Sequence, residues 1–408
     1  MKSNNLVKNK KYCCGCGLCM SKCPKKAISM VEDETGFLFP RIDESKCVDC
    51  HACVINCPYQ NNNNNVSEEP YNQQCFLAYN KNFSSLMNSS SGGVFGALAE
   101  NFINSGGIVY GCSMEYKEKL IPKHIRVNNL NDLEKLKGSK YVQSSIFETF
   151  SLIKDDLINN KNVLFSGTPC QVAAIKKVTQ NIKSGNLYTI DIICHGTPSV
   201  KLFQDYISVL EKKLNGKIYN FVFRDKSVLG TGYNAKIFYK DKNGKKHIKF
   251  LPSVLSSYYD YFLKSNICRE NCYSCKYASK NRVGDITIGD YWGAELEHPE
   301  FMKNNGGQID IRNGVSCLLV NSNKGEELFK KYKNDLIFFE SSFDKIAAHN
   351  GQLNAPSVPN ENRLEILNDY EKYGYSYVND KFEKNLSLKN KLKMYVPTFV
   401  YKIKRKFK

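Results

Sequence analysis

Between Cys75 and about Cys317, short apolar runs bounded by turn residues alternate with stretches of helical spacing. Gly107-Ile108-Val109-Tyr110-Gly111, Asn162–Gly167 and Leu187–Ile193 each read as a buried strand closed by a turn. Val94–Asn104 and Phe147–Asn160 place apolar residues on one helical face. Such alternation predicts an α/β core. Residues 217–250 differ: Ile218–Phe223, Ala235–Tyr239 and Lys245–Phe250, the last preceded by Asp241-Lys242-Asn243-Gly244, predict a β-hairpin. From about 325 to 408 the chain is polar and reads as helical. The first 60 residues are short segments followed by Gln60–Asn65 and Val66–Pro70, a polar linker.

The length of 408 residues suffices for two to four domains. No run of 18 apolar residues exists, and Met1–Asn5 opens no apolar leader, so the expectation is a cytoplasmic protein without membrane spans. Lys plus Arg number 58 against 40 Asp plus Glu, a net charge of +18. Lysine is spread along the chain with no Arg/aromatic stripe, so the charge suits an anionic cofactor or an acidic electron carrier, not nucleic acid. The segment Lys391–Lys408 holds seven Lys/Arg and no acid, interleaved with Met394, Tyr395, Phe399, Tyr401 and Phe407. It reads either as a solvated basic terminus or as a peripheral contact with an anionic membrane.

Cysteine changes the picture. There are 17, nine of them between Cys13 and Cys57. Cys13, Cys16, Cys19 and Cys23-Pro24 form C-x2-C-x2-C-x3-C-P; Cys47, Cys50, Cys53 and Cys57-Pro58 repeat it. Two-residue gaps wrap a tight loop around three irons of a 4Fe-4S cube, and the cysteine before proline ligates the other cube. The expected sets are Cys13, Cys16, Cys19 and Cys57, and Cys47, Cys50, Cys53 and Cys23. Cys14 is out of register and reads as spare. The stretch 10–60 resembles bacterial two-cluster ferredoxins.

Downstream, Ser89-Ser90-Ser91-Gly92-Gly93 precedes a helix and by itself reads as an ordinary cap, although first-turn amides there also favour an anion such as a cofactor phosphate. Phe165-Ser166-Gly167-Thr168-Pro169-Cys170 and Ile192-Ile193-Cys194-His195-Gly196 are strand ends, where open α/β sheets bind ligands. Cys268, Cys272 and Cys275 form a third group, and Gly284–Gly293 reads as a strand with glycines at both ends. Cys170 and Cys194 suit small buried thiols or cluster ligands; Cys272 and Cys275 suit a zinc half-site or the same cluster. His195 fits a proton donor, a flavin neighbour or a capped structural residue.

The ordered motifs SSSGGVFGALAE, GGIVYGC, LKGSKYVQS, VLFSGTPCQVAAIK, IDIICHGTPS, FRDKS, CYSCKYA and GDITIGDYWG resemble the coenzyme F(420) hydrogenase/dehydrogenase beta-subunit family over roughly residues 75–320. With the first segment the chain resembles the family's ferredoxin-fused bacterial type, often associated with polysaccharide or cell-surface biosynthesis. The resemblance implies an α+β / α/β chain. A two-cluster ferredoxin-like domain (1–62) precedes an α/β flavin-binding domain in two parts (75–150 and 151–322), and a helical tail with a basic C-terminus follows (323–408). It implies FAD and a third 4Fe-4S cluster on Cys170, Cys194, Cys272 and Cys275, with Cys268 a rival ligand. Flavin contacts would come from Ser90, Ser91, Gly92, Gly93, Ser139, Lys140, Tyr141, Gly167, Thr168, Pro169, Gly289 and Asp290. Lys140 and His195 are the catalytic candidates, Lys140 for negative charge on reduced flavin. Cys75, Cys112 and Cys317 read as structural thiols. The implied function is an oxidoreductase moving electrons from a ferredoxin-like donor or partner redox subunit to a small organic acceptor. Two alternatives are an electron-transfer subunit serving a separate catalytic chain, and a redox-sensing iron–sulfur protein without flavin.

Overall fold

The computed structural model describes residues 6–7, 9–60, 71–182, 186–393, 396 and 400–401. The Asn61–Pro70 part of the linker and most of the basic terminal stretch lie outside these residues. The strands, in chain order, are β1 (Ile28–Glu32), β2 (Leu38–Ile42), β3 (Gln74–Asn80), β4 (Ile108–Lys117), β5 (Lys119–Val127), β6 (Val163–Gly167), β7 (Leu187–Ile192), β8 (Gly216–Val222), β9 (Asn234–Asp241), β10 (Lys246–Pro252), β11 (Ile286–Asp290), β12 (Ser316–Val320) and β13 (Leu336–Ser341).

Eight of them form one mixed sheet in the order β13-β3-β12-β11-β7-β6-β4-β5. Its centre, β4, β6, β7 and β11, is parallel, and its flanks are antiparallel. The central strands Val163–Gly167 and Leu187–Ile192 are apolar runs because helices cover both faces. Val94–Asn104 packs Leu98 and Phe102 on one face against Leu164 and Ile190. Thr149–Ile158 and Pro169–Thr179 pack Phe150, Ile153 and Ile175 on the other, against Val163 and Phe165.

The hairpin predicted over 217–250 is a three-stranded meander, β8-β9-β10, turning at Asp241–Gly244. A cluster of Phe203, Tyr206, Phe221, Phe223, Tyr258 and Tyr375 ties it to the helices Val200–Leu214, Ser257–Leu263 and Arg363–Lys384. The polar region after 322 is not helical throughout. Leu336-Ile337-Phe338-Phe339 is short and apolar, and it pairs with β3 to finish the main sheet. The rest of the region is mainly helical, in Asn323–Tyr332 before that strand and in Phe343–His349, Arg363–Lys384 and Leu388–Lys393 after it. Among the described residues no helix is long and apolar enough to cross a membrane.

The cysteine-dense segment is fastened to the sheet domain. Leu18, between Cys16 and Cys19 of the first repeat, is fully buried among Ile146, Phe150 and Val172. Arg269, 1% exposed, donates through Nε to the Cys13 carbonyl at 2.7 Å and through Nη2 to the Leu38 carbonyl at 2.8 Å, with its guanidinium 4.3 Å over the Phe39 ring. Leu18→Ala removes a plug that spans two segments, so unfolding free energy should fall by about 2–5 kcal/mol. A loss under about 1 kcal/mol in denaturant titration would show that the plug does not hold the segments together.

Candidate functional site

The two cysteine repeats fold alike. Gly15 and Asp49, two residues after the first cysteine of each repeat, are left-handed at φ 66° and 49°. Gly17 and His51, four residues after it, are left-handed at 72° and 55° and open the short helices Leu18–Ser21 and Ala52–Ile55. The loop requires this conformation at both places. Glycine adopts it freely in the first repeat, whereas Asp49 and His51 bear the strain in the second. Gly17 must also remain bare, since a Cβ there would sit 2.4 Å from Phe147.

Cys23, Cys47, Cys50 and Cys53 line one small cavity of about 20 Å³. The Cys53 thiol is pushed up by burial, with the charges of Cys50 and Cys23 adding to it. Burial raises Cys19 to about 12, with further contributions from Cys13, Cys57 and Cys53. The segment thus brings cysteines of the two repeats near one another, and as thiolates they would repel unless a bound cation offset their charge.

A second cavity, about 350 Å³, opens at the C-terminal ends of β6, β7 and β11, the ligand-binding edge of a parallel sheet and within the size range of small-molecule sites. Thr168 starts the helix Pro169–Thr179 through a capping box with Gln171, whose Oε1 accepts from the Thr168 amide at 3.0 Å. This places Cys170 in the first turn. Cys194 follows β7, and the bend Glu270–Ser274 supplies Cys272, with Cys275 just after it. All four thiols line the cavity. Burial, then the charges of Cys272, Cys170 and Cys275, drives Cys194 well above the ordinary thiol value. Burial lifts Cys272 to about 12, with Cys170 and Cys275 adding to it. Cys268 is fully buried outside the cavity lining, sensing Cys272 and Cys194 across the close turn at Gly196.

The opposite wall carries the serine–glycine loop. Gly93 is left-handed and caps Val94–Asn104 without a side-chain bond, leaving first-turn amides toward the cavity. The Ser139 amide donates to Ser90 Oγ at 2.7 Å, stitching 89–93 to 138–141. Buried Lys226 pins the loop from behind, donating to the carbonyls of Leu86, Ser91 and Asn313. Ser90, Ser91, Gly93, Ser139, Lys140, Tyr141, Gly167, Thr168, Pro169, Gly289 and Asp290 all line the cavity. Gly92 does not; its amide donates to Ser316 Oγ, and a Cβ would strike the Ala78 carbonyl at 2.4 Å.

Both catalytic candidates line the cavity with their polar atoms engaged. Lys140 Nζ donates to the carbonyls of Lys135, Leu136 and Lys137, and burial lowers its pKa to about 8. His195 Nε2 lies 3.1 Å from the Phe262 carbonyl, which only a ring N–H can satisfy; Nδ1 therefore carries the lone pair, facing Gln352 and Ser357. Its surroundings are those of a capped structural histidine.

Several contributors give no motif signal of their own. Arg224 makes a two-point bond to Asp290 at 2.9 and 3.0 Å and lies over the Tyr233 ring. His124 Nε2 donates to the Ser166 carbonyl at 2.9 Å, its Nδ1 accepts from Ser144 Oγ, and its ring stacks on Phe165. Arg224 and Ser144 lie in the stretches FRDKS and LKGSKYVQS, but nothing in spacing reveals that they pair with Asp290 and His124.

Residues 160–345 match the family described as the C terminus of the coenzyme F420 hydrogenase/dehydrogenase beta subunit, and residues 12–61 match the 4Fe-4S dicluster domain. The chain joins these two domains. It is thus an iron–sulfur electron-transfer protein of the oxidoreductase class. A solved structure from a xenon study of the F420-reducing [NiFe] hydrogenase complex of Methanosarcina barkeri is similar at 18% identity and a TM-score of 0.42, over 78% of this chain and 94% of that one. No curated protein matches.

Burial lowers the His124 pKa to about 4, with Lys140 adding to the effect, against 6.5 when unfolded. A base whose pKa falls on folding favours the folded state above its unfolded pKa, and that stability is lost as pH drops from 6.5 toward 4. From pH 7 to pH 5 this residue should cost about 2 kcal/mol. Denaturant unfolding of wild type and His124→Gln at both pH values should show the smaller pH effect in the variant.

Proposed function

We propose that the chain is an iron–sulfur flavoprotein that takes electrons from a ferredoxin-like donor or partner redox subunit and delivers them to a small organic acceptor. The observation supporting this is the 350 Å³ cavity, with four cysteines from two strand ends and one loop on one wall and a helix start without a side-chain cap and a serine–glycine loop on the other. In this reading Cys13, Cys16, Cys19 and Cys57 hold one cube; Cys23, Cys47, Cys50 and Cys53 a second; and Cys170, Cys194, Cys272 and Cys275 a third. When bound, the cubes carry single electrons and FAD exchanges them for the two an organic acceptor takes.

The chain's own groups divide the work. The first-turn amides after Gly93 receive the anionic phosphates. Ser90 and Lys226 hold that loop in place. Gly167 and Gly289 keep the backbone close, since a Cβ would meet Phe165 at 2.9 Å in one case and Ile193 at 2.8 Å in the other. The bonds from Lys140 to three carbonyls hold its cation at the wall, where it favours negative charge on a neighbouring ring. Tyr141 and Phe262 give an aromatic surface, their rings 5.0 Å apart and tilted by 30°.

Anaerobically purified chain should contain about 12 irons, as three four-iron cubes, with one FAD. Cys275→Ser should lose about four irons and keep the ferredoxin pair. Wild type with about eight irons and no flavin would refute the third cube and the flavin together, leaving the ferredoxin domain intact.

A further inference from the structure

Away from both cavities, the last described residues of the chain gather on the meander. The helix Leu388–Lys393 packs against the short turn Ser253–Leu255 that follows β10, and the Tyr401 ring meets Phe250 of β10 at 5.6 Å. Tyr401 Oη donates to the Lys393 carbonyl at 3.2 Å, closing that stretch on itself. β10 is an outer strand of its sheet. Two segments far apart in sequence thus lie side by side at the sheet edge. Both are basic, and both expose apolar side chains. Leu388 and Leu392, one turn apart on the helix, are 80% and 70% exposed, and Ile248 on β10 is 61% exposed. Lys245, Lys246 and Lys249, next to Ile248 along the chain, are exposed as well. Residues 384–408 contain nine Lys/Arg and no Asp or Glu. The acids nearest along the chain are already engaged, Asp241 with His247 at 2.7 Å and Glu383 with Lys213. Lys391 and Lys393 donate to uncharged acceptors, the Lys384 carbonyl and the Asn390 side chain, so their charge stays available to an anion.

We propose that this face is a membrane-contact surface that seats the chain on an anionic lipid bilayer. Two leucines one turn apart gain nothing from water, whereas a bilayer interface takes them up just below the headgroups while neighbouring lysines meet the anionic lipids. The sequence beyond Lys393 has the same composition, with Tyr395, Phe399, Ile403 and Phe407 set among Lys and Arg. A nucleic acid or an acidic protein would use the lysines and leave the leucines in solvent. Among the described residues no helix is long and apolar enough to cross a bilayer, so the contact lies on its surface. None of these residues lines either cavity, and the inference is independent of the cube and flavin readings.

The test spins the full-length protein, prepared anaerobically, with sucrose-loaded vesicles of phosphatidylcholine, either alone or with phosphatidylserine at about 30%. Wild type should pellet with the anionic vesicles, stay in solution with the neutral ones, and be released as ionic strength rises. Lys245→Gln and Lys249→Gln should each weaken binding about fivefold. The double variant Leu388→Gln, Leu392→Gln should weaken it about tenfold. All four side chains are exposed, so iron content and melting temperature should match wild type in every variant. Equal pelleting with the two vesicle types would overturn the proposal. So would a leucine variant that pellets like wild type while the lysine variants do not, because the face would then make a contact of charge alone, as nucleic acid or an acidic protein does. Wild-type binding by both lysine variants would overturn the shared face.

Discussion

Arg269 spends its guanidinium protons on the ferredoxin segment, on the carbonyls of Cys13 and Leu38, while its own backbone belongs to the loop that supplies Cys272 and Cys275. A buried cation without hydrogen bonds is costly, so the two segments must meet in one register for that cost to be met. Tyrosines set the same register. Tyr59 donates to the Ser274 carbonyl at 2.7 Å, and Tyr277 to the Pro58 carbonyl at 2.8 Å. Each tyrosine stands two residues beyond a candidate ligand, Cys57 or Cys275, and their rings meet edge to face. This clasp closes the seam on which the arrangement of sites depends.

Under the proposed ligand sets the charge of Arg269 also has a place in the chemistry. Its Nη2 lies 3.6 Å from Cys13 Sγ. A fixed cation beside a cluster thiolate stabilises the reduced cluster by the same physics as a hydrogen bond to sulfur. The seam is therefore mechanical support and electrostatic environment together.

The cavity illustrates a division between rigid and soft supports. Its cysteine wall stands on the ends of β6 and β7 and on a loop held by the seam. Its opposite wall is a loop, Ser89–Gly93, held from three directions by Ser139, Ser316 and Lys226. Burial lowers the Lys226 pKa to about 7, the cost of placing an ammonium behind that loop. Three carbonyl partners offset that cost and leave the Ser90 hydroxyl free to align Ser139.

Local pattern determined much of this protein. The cysteine spacing marked the two repeats, and the strands 163–167 and 187–192 and the helix 94–104 were legible because their apolar spacing is a property of neighbouring residues. The motif order pointed to the cavity residues as a group. Other features depended on contacts distant in sequence. β13 reads as part of a polar tail until it meets the open edge of β3. Gly92 looks like one more cradle glycine until the Ala78 carbonyl is found against it. Cys14 looks spare because spacing registers only neighbours along the chain, and Cys170 and Cys275 are brought against it by the packing of one segment on another. Tertiary structure alone decided that Cys268 lies outside the cavity, that His124 and Arg224 support it, and that the two groups of cysteines share a buried seam. These outcomes follow from which surfaces exclude water together, and chain spacing does not encode that.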